Sequence, residues 1–560
     1  MTNENPELKK QQSISAAEHP KAWDPQVMIL GLPLAVVGCI IGLELIVRTG
    51  VTPNTSIIGA LFAILLSRIP VAFLRKYRSI HRQNLLQTSI SAATFSAANC
   101  MILPIGIPVI MGYPELMFPM LIGVMLATCV DATILYNCFG SEMFPAEGAW
   151  PPGVAAADSI LAVIEKGKKA VLLLVGIGLG WVGKIAGLPM DLLGVSWFGD
   201  FGAMAALAAG SLVIGVLKVN GFSFAIFGHA FNFVTNAFGE GFVYTDHLSL
   251  QYMAHGVMIG AGIISLVQCG IALFKKSKGT KTMDTTNVVS NEHMKKTLGV
   301  GFGAYLVIAL FLAVVGGIIT KMSVPQFILW LIFAAFAAEA SELIVGISAM
   351  YSGWFPGFAT ALIFLIVGML LGFPKLALGL LVGFTAATGP CFSDMAYDLK
   401  CGYILRGSGA NPELEKEGRK QQFLAELMGF AVAFVMVAFF ANKYFGQGLF
   451  VAVSNTFVAT IDAGASGEIA KWLLIWAIPG AIIQLLGGKR QLGILFATGL
   501  LVGNIINGLT IAAGLIIRLI AVRANKENEQ TLNILGAGAL AGAAIYSFFT
   551  ATLGLVGKKD

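Results

Sequence analysis

Acidic residues inside apolar segments are the groups in this sequence that could carry chemistry. Asp394 and Asp398 lie four positions apart, so on a helix their carboxyl groups would share one face, and Lys400 follows closely. Glu339 and Asp131 occur within other apolar runs. A charge at the centre of a membrane helix costs about 2.5–3.5 kcal/mol, and acids retained there pair with partners or relay protons. We therefore take Glu339, Asp394 and Asp131 as candidate functional acids. A solvated salt-bridge cluster at the membrane interface is the open alternative for Asp394, Asp398 and Lys400.

Composition identifies the elements that must hold these residues. Of 560 residues, 57% are hydrophobic and 12% are charged, and the mean hydropathy is +0.81. Soluble proteins have about 45–50% apolar and about 25% charged residues. The 66 glycines suit helices that pack closely in a bilayer. The chain is therefore expected to be an integral membrane protein. The polar first 26 residues lack the apolar core of a signal peptide.

Apolar runs of about 20 residues, the length that crosses roughly 30 Å of hydrocarbon, recur along the chain. They predict an all-α, polytopic integral membrane protein with about sixteen transmembrane helices. The predicted spans are 27–47, 55–74, 88–111, 116–137, 170–187, 201–217, 219–236, 254–274, 297–319, 326–347, 358–373, 376–396, 421–441, 470–487, 491–517 and 532–555. Whether 442–469 and 491–517 hold full spans stays open, because 491–517 could form a re-entrant hairpin broken at Gly503-Asn504.

Lysine and arginine gather in alternate loops, as the positive-inside rule describes for cytoplasmic segments. Residues 75–82 contain four basic residues, and 275–296 contain six lysines. With sixteen spans, both segments and both termini fall on the cytoplasmic side of the cell membrane. The loop with Arg523 and Lys526 is the exception, and it would return to the cytoplasmic side if 491–517 re-entered.

Two long loops suggest a parallel repeat of eight helices, an architecture known among transporters. The loops 138–169 and 397–420 each end in glycine followed by two basic residues. The predicted organisation is a cytoplasmic N-terminal tail (1–26), a first transmembrane repeat (27–274), a Lys-rich cytoplasmic linker (275–296), a second repeat (297–555) and a C-terminal tail (556–560).

Several function classes lack their sequence signals. The seven cysteines stand singly, without the spacing of a zinc site or a disulfide framework. Walker-type and common hydrolase motifs are absent, so we expect no enzyme activity, no cofactor and no bound metal. The basic residues belong to loops between spans, which argues against a nucleic-acid partner. Two alternative functions remain open. A membrane-embedded enzyme would be recognised by a nucleophile–base pair, and a channel by a flux that does not saturate.

The segment 389–403 reads Gly-Pro-Cys-Phe-Ser-Asp-Met-Ala-Tyr-Asp-Leu-Lys-Cys-Gly-Tyr, and Gly-Arg-Lys-Gln follows at 418–421. It resembles the oligopeptide transporter (OPT) family, which has an Asp-x-x-x-Asp-Leu-Lys-x-Gly-Tyr signature followed by Pro-Arg-Lys-Gln. Residues 49–56, 83–88 and 152–157 resemble three further motifs of this family, in the expected order, although Gln83 and Gly418 replace family residues. The family also includes the yellow stripe-like metal-chelate carriers, and its sixteen-span layout agrees with the count above.

The resemblance implies a secondary active transporter, a proton-coupled importer of short oligopeptides or peptide-like compounds. Uptake of metal chelates, such as siderophore or nicotianamine-like complexes, is the alternative. The expected partners are the substrate, a coupling proton and the lipid bilayer, and a homodimer remains open. The residues expected to couple the proton are Glu339, Asp394 and Asp131. A peptide needs hydrogen-bond donors and a counter-charge. The candidate substrate-binding residues are Asn84, Gln87, Thr88, Pro152, Gly153, Asp394, Asp398, Lys400, Tyr403 and Asn504.

The segments 150–167 and 389–403 mix proline, glycine and small residues between strong spans. Irregular backbone at membrane depth is tolerated where it lies within protein or lines a cavity. We therefore predict that both segments form broken or re-entrant helices that face each other across the site.

Overall fold

Helices dominate the computed structural model of this protein. The structure describes residues 6–49, 55–57, 59–60, 77–162, 168–218, 222–226, 229–233, 242–274, 289–353, 355–464, 467–487 and 490–557. Within them, ten helices are long and apolar enough to cross a membrane, and four apolar helices are shorter. The prediction of a helical, multi-pass membrane protein is confirmed, whereas the count of sixteen spans stays a prediction. Part of the predicted span 55–74 and most of the Lys-rich linker lie outside the described residues.

The helices before the Lys-rich linker are α1 (Pro6–Gln12), α2 (Pro25–Thr49), α3 (Ile80–Ile110, with a π-helical turn at Ser96–Ile102), α4 (Met117–Cys138), α5 (Pro151–Ala162), α6 (Lys168–Ile185), α7 (Met190–Phe198), α8 (Phe201–Lys218) and α9 (Met253–Phe274). Shorter helical turns lie at Ala16–Glu18, Pro114–Leu116, Tyr244–Asp246 and Leu248–Gln251.

The helices after the linker are α10 (Asn291–Val315), α11 (Val324–Ser352), α12 (Gly357–Leu370), α13 (Lys375–Ala387), α14 (Pro390–Leu405), α15 (Pro412–Gly446), α16 (Ala452–Ala463), α17 (Gly467–Leu486), α18 (Leu492–Val502), α19 (Ile505–Ala524) and α20 (Asn528–Gly557). A 3₁₀ turn at Ile318–Lys321 separates α10 from α11.

One predicted span is wrong. Within 219–236 the structure has two antiparallel strands, β1 (Phe222–Ile226) and β2 (His229–Phe233), with Phe222 opposite Phe233. Phenylalanine occupies alternate positions at the outer ends of both strands, and aromatic residues in alternation favour strands. The overall apolarity of the segment concealed this two-residue period.

The distribution of side chains is that of a protein solvated by lipid. Phe439, Leu474 and Leu486 expose 78%, 70% and 84% of their surfaces, whereas Asp398 and Glu426 are fully buried. Apolar side chains therefore cover much of the outside, and acids lie within. A bilayer accounts for this arrangement, because lipid solvates apolar side chains and leaves polar groups to be satisfied internally.

Loops from distant parts of the sequence meet at one face of the protein, called here the N-terminal face. The contacts that join them are those of Ala22 N–H with Gln421 Oε1 (2.8 Å), of the Gln11 carbonyl with His81 Nε2 (2.8 Å), of Arg419 with the Phe139 carbonyl (2.7 Å) and of Val289 N–H with the Gly140 carbonyl (3.1 Å). The basic loops expected on the cytoplasmic side contribute to this face. Its cytoplasmic location stays a prediction.

The pair α18 and α19 forms a re-entrant hairpin. The helices are interrupted at residues 503–504, where the Asn504 side chain accepts a hydrogen bond from Asn507 N–H (2.8 Å). Arg490, just before α18, lies 3.9 Å from Asp200, and Arg518 of α19 donates to the adjacent Gly199 carbonyl (2.6 Å). Both ends of the segment thus return to the same place, as the re-entrant alternative for 491–517 predicts.

This hairpin changes the side on which the last helix ends. Glu529, at the start of α20, lies 3.4 Å from Arg518 and therefore on the same face as the hairpin's ends. α20 has 30 residues, which at about 1.5 Å each is long enough to cross a bilayer. It therefore ends on the opposite face. The prediction that both termini lie on one side does not fit this arrangement, because 491–517 was counted there as a crossing.

Helix packing shows a reciprocal arrangement of two hairpins. α20 packs along α6 and α7, whereas α8 packs along α18 and α19. The pair α6 and α7 thus contacts α20, which follows α18 and α19 in sequence, and the pair α18 and α19 contacts α8, which follows α6 and α7. Glycines permit the close approach, since a Cβ atom at Gly180 would overlap the Ala539 carbonyl and one at Gly210 would overlap the Phe496 carbonyl. The eight-helix repeat itself stays a prediction.

Candidate functional site

The span that contains the OPT-like signature is broken in its middle. α13 ends at Ala387 and α14 begins at Pro390, with Gly389 between them at a φ of +77°. A side chain disfavours this backbone conformation, which explains glycine at this position. The first N–H groups of a helix have no intrahelical acceptor. Here Asp131 of α4 accepts hydrogen bonds from Phe392 N–H (2.8 Å) and Gly389 N–H (3.4 Å).

Three buried carboxyl groups meet beside α14, and we call them the triacid cluster. Asp394 and Asp398 lie on α14, and Glu426 comes from α15. One oxygen from each carboxyl group lies within 4.8 Å of the others. Asp394 is 4% exposed and the other two are fully buried. The i,i+4 spacing indicated that the two aspartates share a face. Glu426 was left out of the predicted site, because it begins its span just after Arg419 and Lys420, where a position at the membrane interface was equally expected.

Neutral side chains from two other segments donate hydrogen bonds to the two aspartates. These are Thr55 to Asp394 (2.9 Å), Ser91 to Asp394 (3.1 Å), Ser56 to Asp398 (2.7 Å) and Gln87 to Asp398. Within the described residues, neither Glu426 oxygen has a hydrogen-bond partner, and Asp398 Oδ2 also lacks one. No ion pair to the cluster occurs in that part of the chain. The cluster can therefore accept a cation or protons.

A buried arginine supports the cluster from the N-terminal face. Arg406 forms two hydrogen bonds with Glu415, from Nε (2.7 Å) and Nη2 (3.1 Å), and both side chains are 1% exposed. Its Nη1 donates to Gln422 Oε1 (2.8 Å) and Asn84 Oδ1 (3.4 Å). Gln422 in turn donates to the Asp398 carbonyl (2.6 Å) and to Thr88 (3.2 Å). Sequence reasoning missed this network, because it depends on contacts between distant segments.

A second acidic group lies at the other side of the α14 N-terminus. Asp131 is adjacent to Glu342 of α11, and Tyr305 of α10 donates to Glu342 Oε2 (2.5 Å). All three side chains are fully buried. Asp131 was among the residues expected to couple protons, and Glu342 lies one turn from the expected Glu339. Glu339 itself is only half-buried, so the structure brings its neighbour, and not Glu339, against Asp131.

The expected segments α5 and α14 are neighbours, but they pack directly against each other, so direct contact replaces the site that was expected between them. A Cβ atom at Gly153 of α5 would lie 2.8 Å from Lys400 Cβ and would overlap the Tyr397 carbonyl. Lys400 donates to the Ala146 carbonyl (2.8 Å), and Tyr403 donates to Glu147 (3.1 Å). These two donors hold the loop 139–150 and do not contact the triacid cluster.

The candidate substrate residues thus separate into three groups. Asn84, Gln87, Thr88, Asp394 and Asp398 are joined by hydrogen bonds around the triacid cluster. The second group, Pro152, Gly153, Lys400 and Tyr403, lies at the contact between α14 and the segment before and within α5. Asn504 lies apart, exposed at the break between α18 and α19.

A cavity of about 930 Å³ opens beside the loop 139–150. Its polar lining includes Glu142, Gln268, Tyr351 and Arg490, and three methionines contribute apolar surface. One of them, Met350, accepts a hydrogen bond at its carbonyl from Trp150 N–H (3.0 Å), just before α5. The loop therefore separates the cavity from the helix that carries the two aspartates.

Comparison with known proteins agrees with this architecture. A family model described as OPT oligopeptide transporter protein matches residues 22–265 and 247–553. No curated protein matches the sequence. The family match covers nearly the whole chain and includes α3, α5, α14 and α15, which supply or contact the site. The chain belongs to the OPT oligopeptide transporter family, whose members are membrane transporters and not enzymes.

Proposed function

We propose that this protein imports short oligopeptides or peptide-like compounds across the cell membrane, and that protons bound at the triacid cluster drive the import. The N-terminal face would then be the cytoplasmic one. The family match supports oligopeptide transport in general. The coupling ion is inferred from the cluster.

The observation that carries this proposal is the concentration of three buried carboxyl groups with no cation beside them in the described residues. Two ionised groups 4.8 Å apart repel by about 3.5 kcal/mol at an effective dielectric constant of about 20. Three ionised groups form three such pairs. Protons relieve this repulsion, since a protonated carboxyl group carries no charge. A site that must gain and lose protons as it opens and closes suits a coupling role.

The cavity beside the loop 139–150 is the proposed route of the substrate. Its volume of about 930 Å³ lies within the range of about 300–1,000 Å³ that small-ligand sites occupy. Arg490 could contact the carboxylate of a peptide and Glu142 its amino group, while methionines adapt to different side chains. Lys400 and Tyr403 hold the loop between this cavity and α14, so substrate in the cavity and protons at the cluster would act on the same helix.

Uptake of metal chelates is the second candidate. The triacid cluster offers three carboxylate oxygens within 4.8 Å of one another, and hard cations prefer such ligands. A chelated cation could thus replace the protons at this place. Only transport measurements with both substrate classes separate the two candidates.

The test is uptake into proteoliposomes with and without an inward proton gradient. Labelled di- to hexapeptides, glutathione and metal–chelate complexes are the probes. We expect gradient-driven accumulation of a peptide by the wild type and by Glu413→Gln, a matched control at an exposed position of α15. Asp394→Asn and Glu426→Gln should lose accumulation but retain downhill flux. Accumulation at wild-type level and unchanged pH dependence in both variants would refute the proton role of the cluster, and gradient-driven accumulation of chelates alone would favour the second candidate.

A further inference from the structure

The pair of Asp131 and Glu342 stands apart from the triacid cluster. Its two carboxyl groups come from α4 and α11, are adjacent, and are fully buried. Among the described residues, the titratable groups that face the pair are Tyr305 of α10, Glu339 of α11 and Cys391 of α14. No Lys, Arg or His side chain forms an ion pair with it within the described residues.

Two adjacent buried carboxyl groups cannot both be ionised at low cost, so the pair must hold a proton. The surroundings indicate which group holds it. Asp131 accepts two backbone N–H groups at the start of α14, where the helix dipole favours a negative charge. Glu342 Oε1 is buried and has no hydrogen-bond partner in the described part of the chain. A proton on Glu342 Oε1, donated to Asp131, accounts for that unpartnered atom.

We propose that Asp131 and Glu342 form a second proton-binding site, which holds one proton between them and exchanges it when α14 moves during transport. The exchange step rests on the proposed function, because it assumes that the transport cycle moves α14. The binding of the proton does not depend on transport.

Geometry links the pair to α14. The hydrogen bonds from Gly389 and Phe392 exist only while the N-terminus of α14 lies against Asp131. If that end moves away, Asp131 loses both donors and attracts the shared proton more strongly. Asp394 of the triacid cluster follows Phe392 by two positions on the same helix. One short stretch of α14 therefore adjoins both acidic groups.

Infrared difference spectroscopy of the purified protein tests the binding step without transport. A protonated carboxyl group gives a C=O stretching band that an ionised carboxylate lacks. We expect one such band to disappear in Glu342→Gln and to remain in Glu115→Gln, an exposed control near the start of α4. The band should also remain in Asp394→Asn and Glu426→Gln. Loss of the band in Glu339→Gln but not in Glu342→Gln would overturn the assignment, as would spectra that are unchanged in Glu342→Gln.

Proton stoichiometry tests the exchange step. We expect Glu342→Gln, which mimics a permanently protonated glutamate, to move one proton fewer per substrate molecule than the wild type. An unchanged ratio would refute the exchange, whereas a wild type that moves no protons would refute the proposed function and leave the infrared assignment standing. If Glu342→Gln fails to fold, Tyr305→Phe removes only the hydrogen bond to Glu342. The band should then shift in frequency without being lost, and an unshifted band would overturn the proposal.

Discussion

The buried pair of Arg406 and Glu415 leads to a prediction in which the two single substitutions differ in their cost to stability. Each is 1% exposed, and two hydrogen bonds of 2.7 and 3.1 Å join them. Removing one partner of a buried ion pair typically costs about 3–5 kcal/mol, because the other charge is left uncompensated. The two partners differ, however, in what remains after the substitution.

Glu415 has a second cation, since Arg419 Nη2 lies 3.3 Å from its Oε1. Of its partners in the described part of the chain, Arg406 would retain the neutral amide oxygens of Gln422 and Asn84. We therefore expect Glu415→Leu to cost about 3–5 kcal/mol and Arg406→Met to cost clearly less. The double substitution should cost less than Glu415→Leu alone, since apolar side chains of similar volume often replace a buried pair without loss.

The assay is the unfolding of purified protein in detergent with increasing denaturant. Asp462→Asn is the matched control, because Asp462 pairs with Lys375 (2.6 Å) while both are more than 60% exposed, and such pairs contribute about 0–1 kcal/mol. Equal losses for Glu415→Leu and Arg406→Met would refute the compensation by Arg419. A loss for Glu415→Leu no larger than that of the control would refute the claim that the pair is buried.

Three further predictions concern pH, packing and topology. Burial lowers the pKa of His19 to about 3, below its ordinary value of 6.5. The stability that the neutral imidazole contributes is therefore complete above pH 6.5 and is lost as the pH falls below that value. His19→Gln should reduce the loss of thermal stability between neutral pH and about pH 5. Gly153→Ala forces a side chain against α14 and should cost about 1–3 kcal/mol of stability, whereas Gly178→Ala, with open space around its Cβ position, should cost little. Single cysteines at Glu529 and Lys321 should label from opposite sides of the membrane, and labelling from the same side would contradict the re-entrant hairpin.

Much of the fold could be predicted from apolar periodicity and loop charge. The break at Gly503-Asn504 was visible as polar and flexible residues inside an apolar run. The basic loop with Arg523 and Lys526, which sixteen full spans would place outside the cell, also indicated that the segment before it re-enters. The hairpin within 219–236 could not be recognised by hydropathy, because a pair of strands and a buried helix with equally apolar residues have the same mean hydropathy. Its alternating aromatic residues were the signal available.

The site was predicted only as far as local spacing extends. Asp394 and Asp398 share a face because the helical period dictates it, and Asp131 was named as a candidate for proton coupling. Glu426 completes the cluster from α15, and nothing local in the sequence fixes how α15 packs beside α14. For the same reason the sequence favoured Glu339 over Glu342, since residues three apart are distinguished only by the helices that surround them.

The break before α14 determines which force controls this helix. Because α13 and α14 do not share a continuous hydrogen-bond ladder, α14 can move without unfolding a turn. One contact that holds its N-terminus is the cap by Asp131, and a helix cap contributes about 0.5–2 kcal/mol. Each pair of ionised carboxyl groups in the triacid cluster repels by about 3.5 kcal/mol at an effective dielectric constant of about 20. Two of these pairs join α14 to Glu426 of α15, so the loss of protons from the cluster would push α14 away from α15 by more than this one cap opposes.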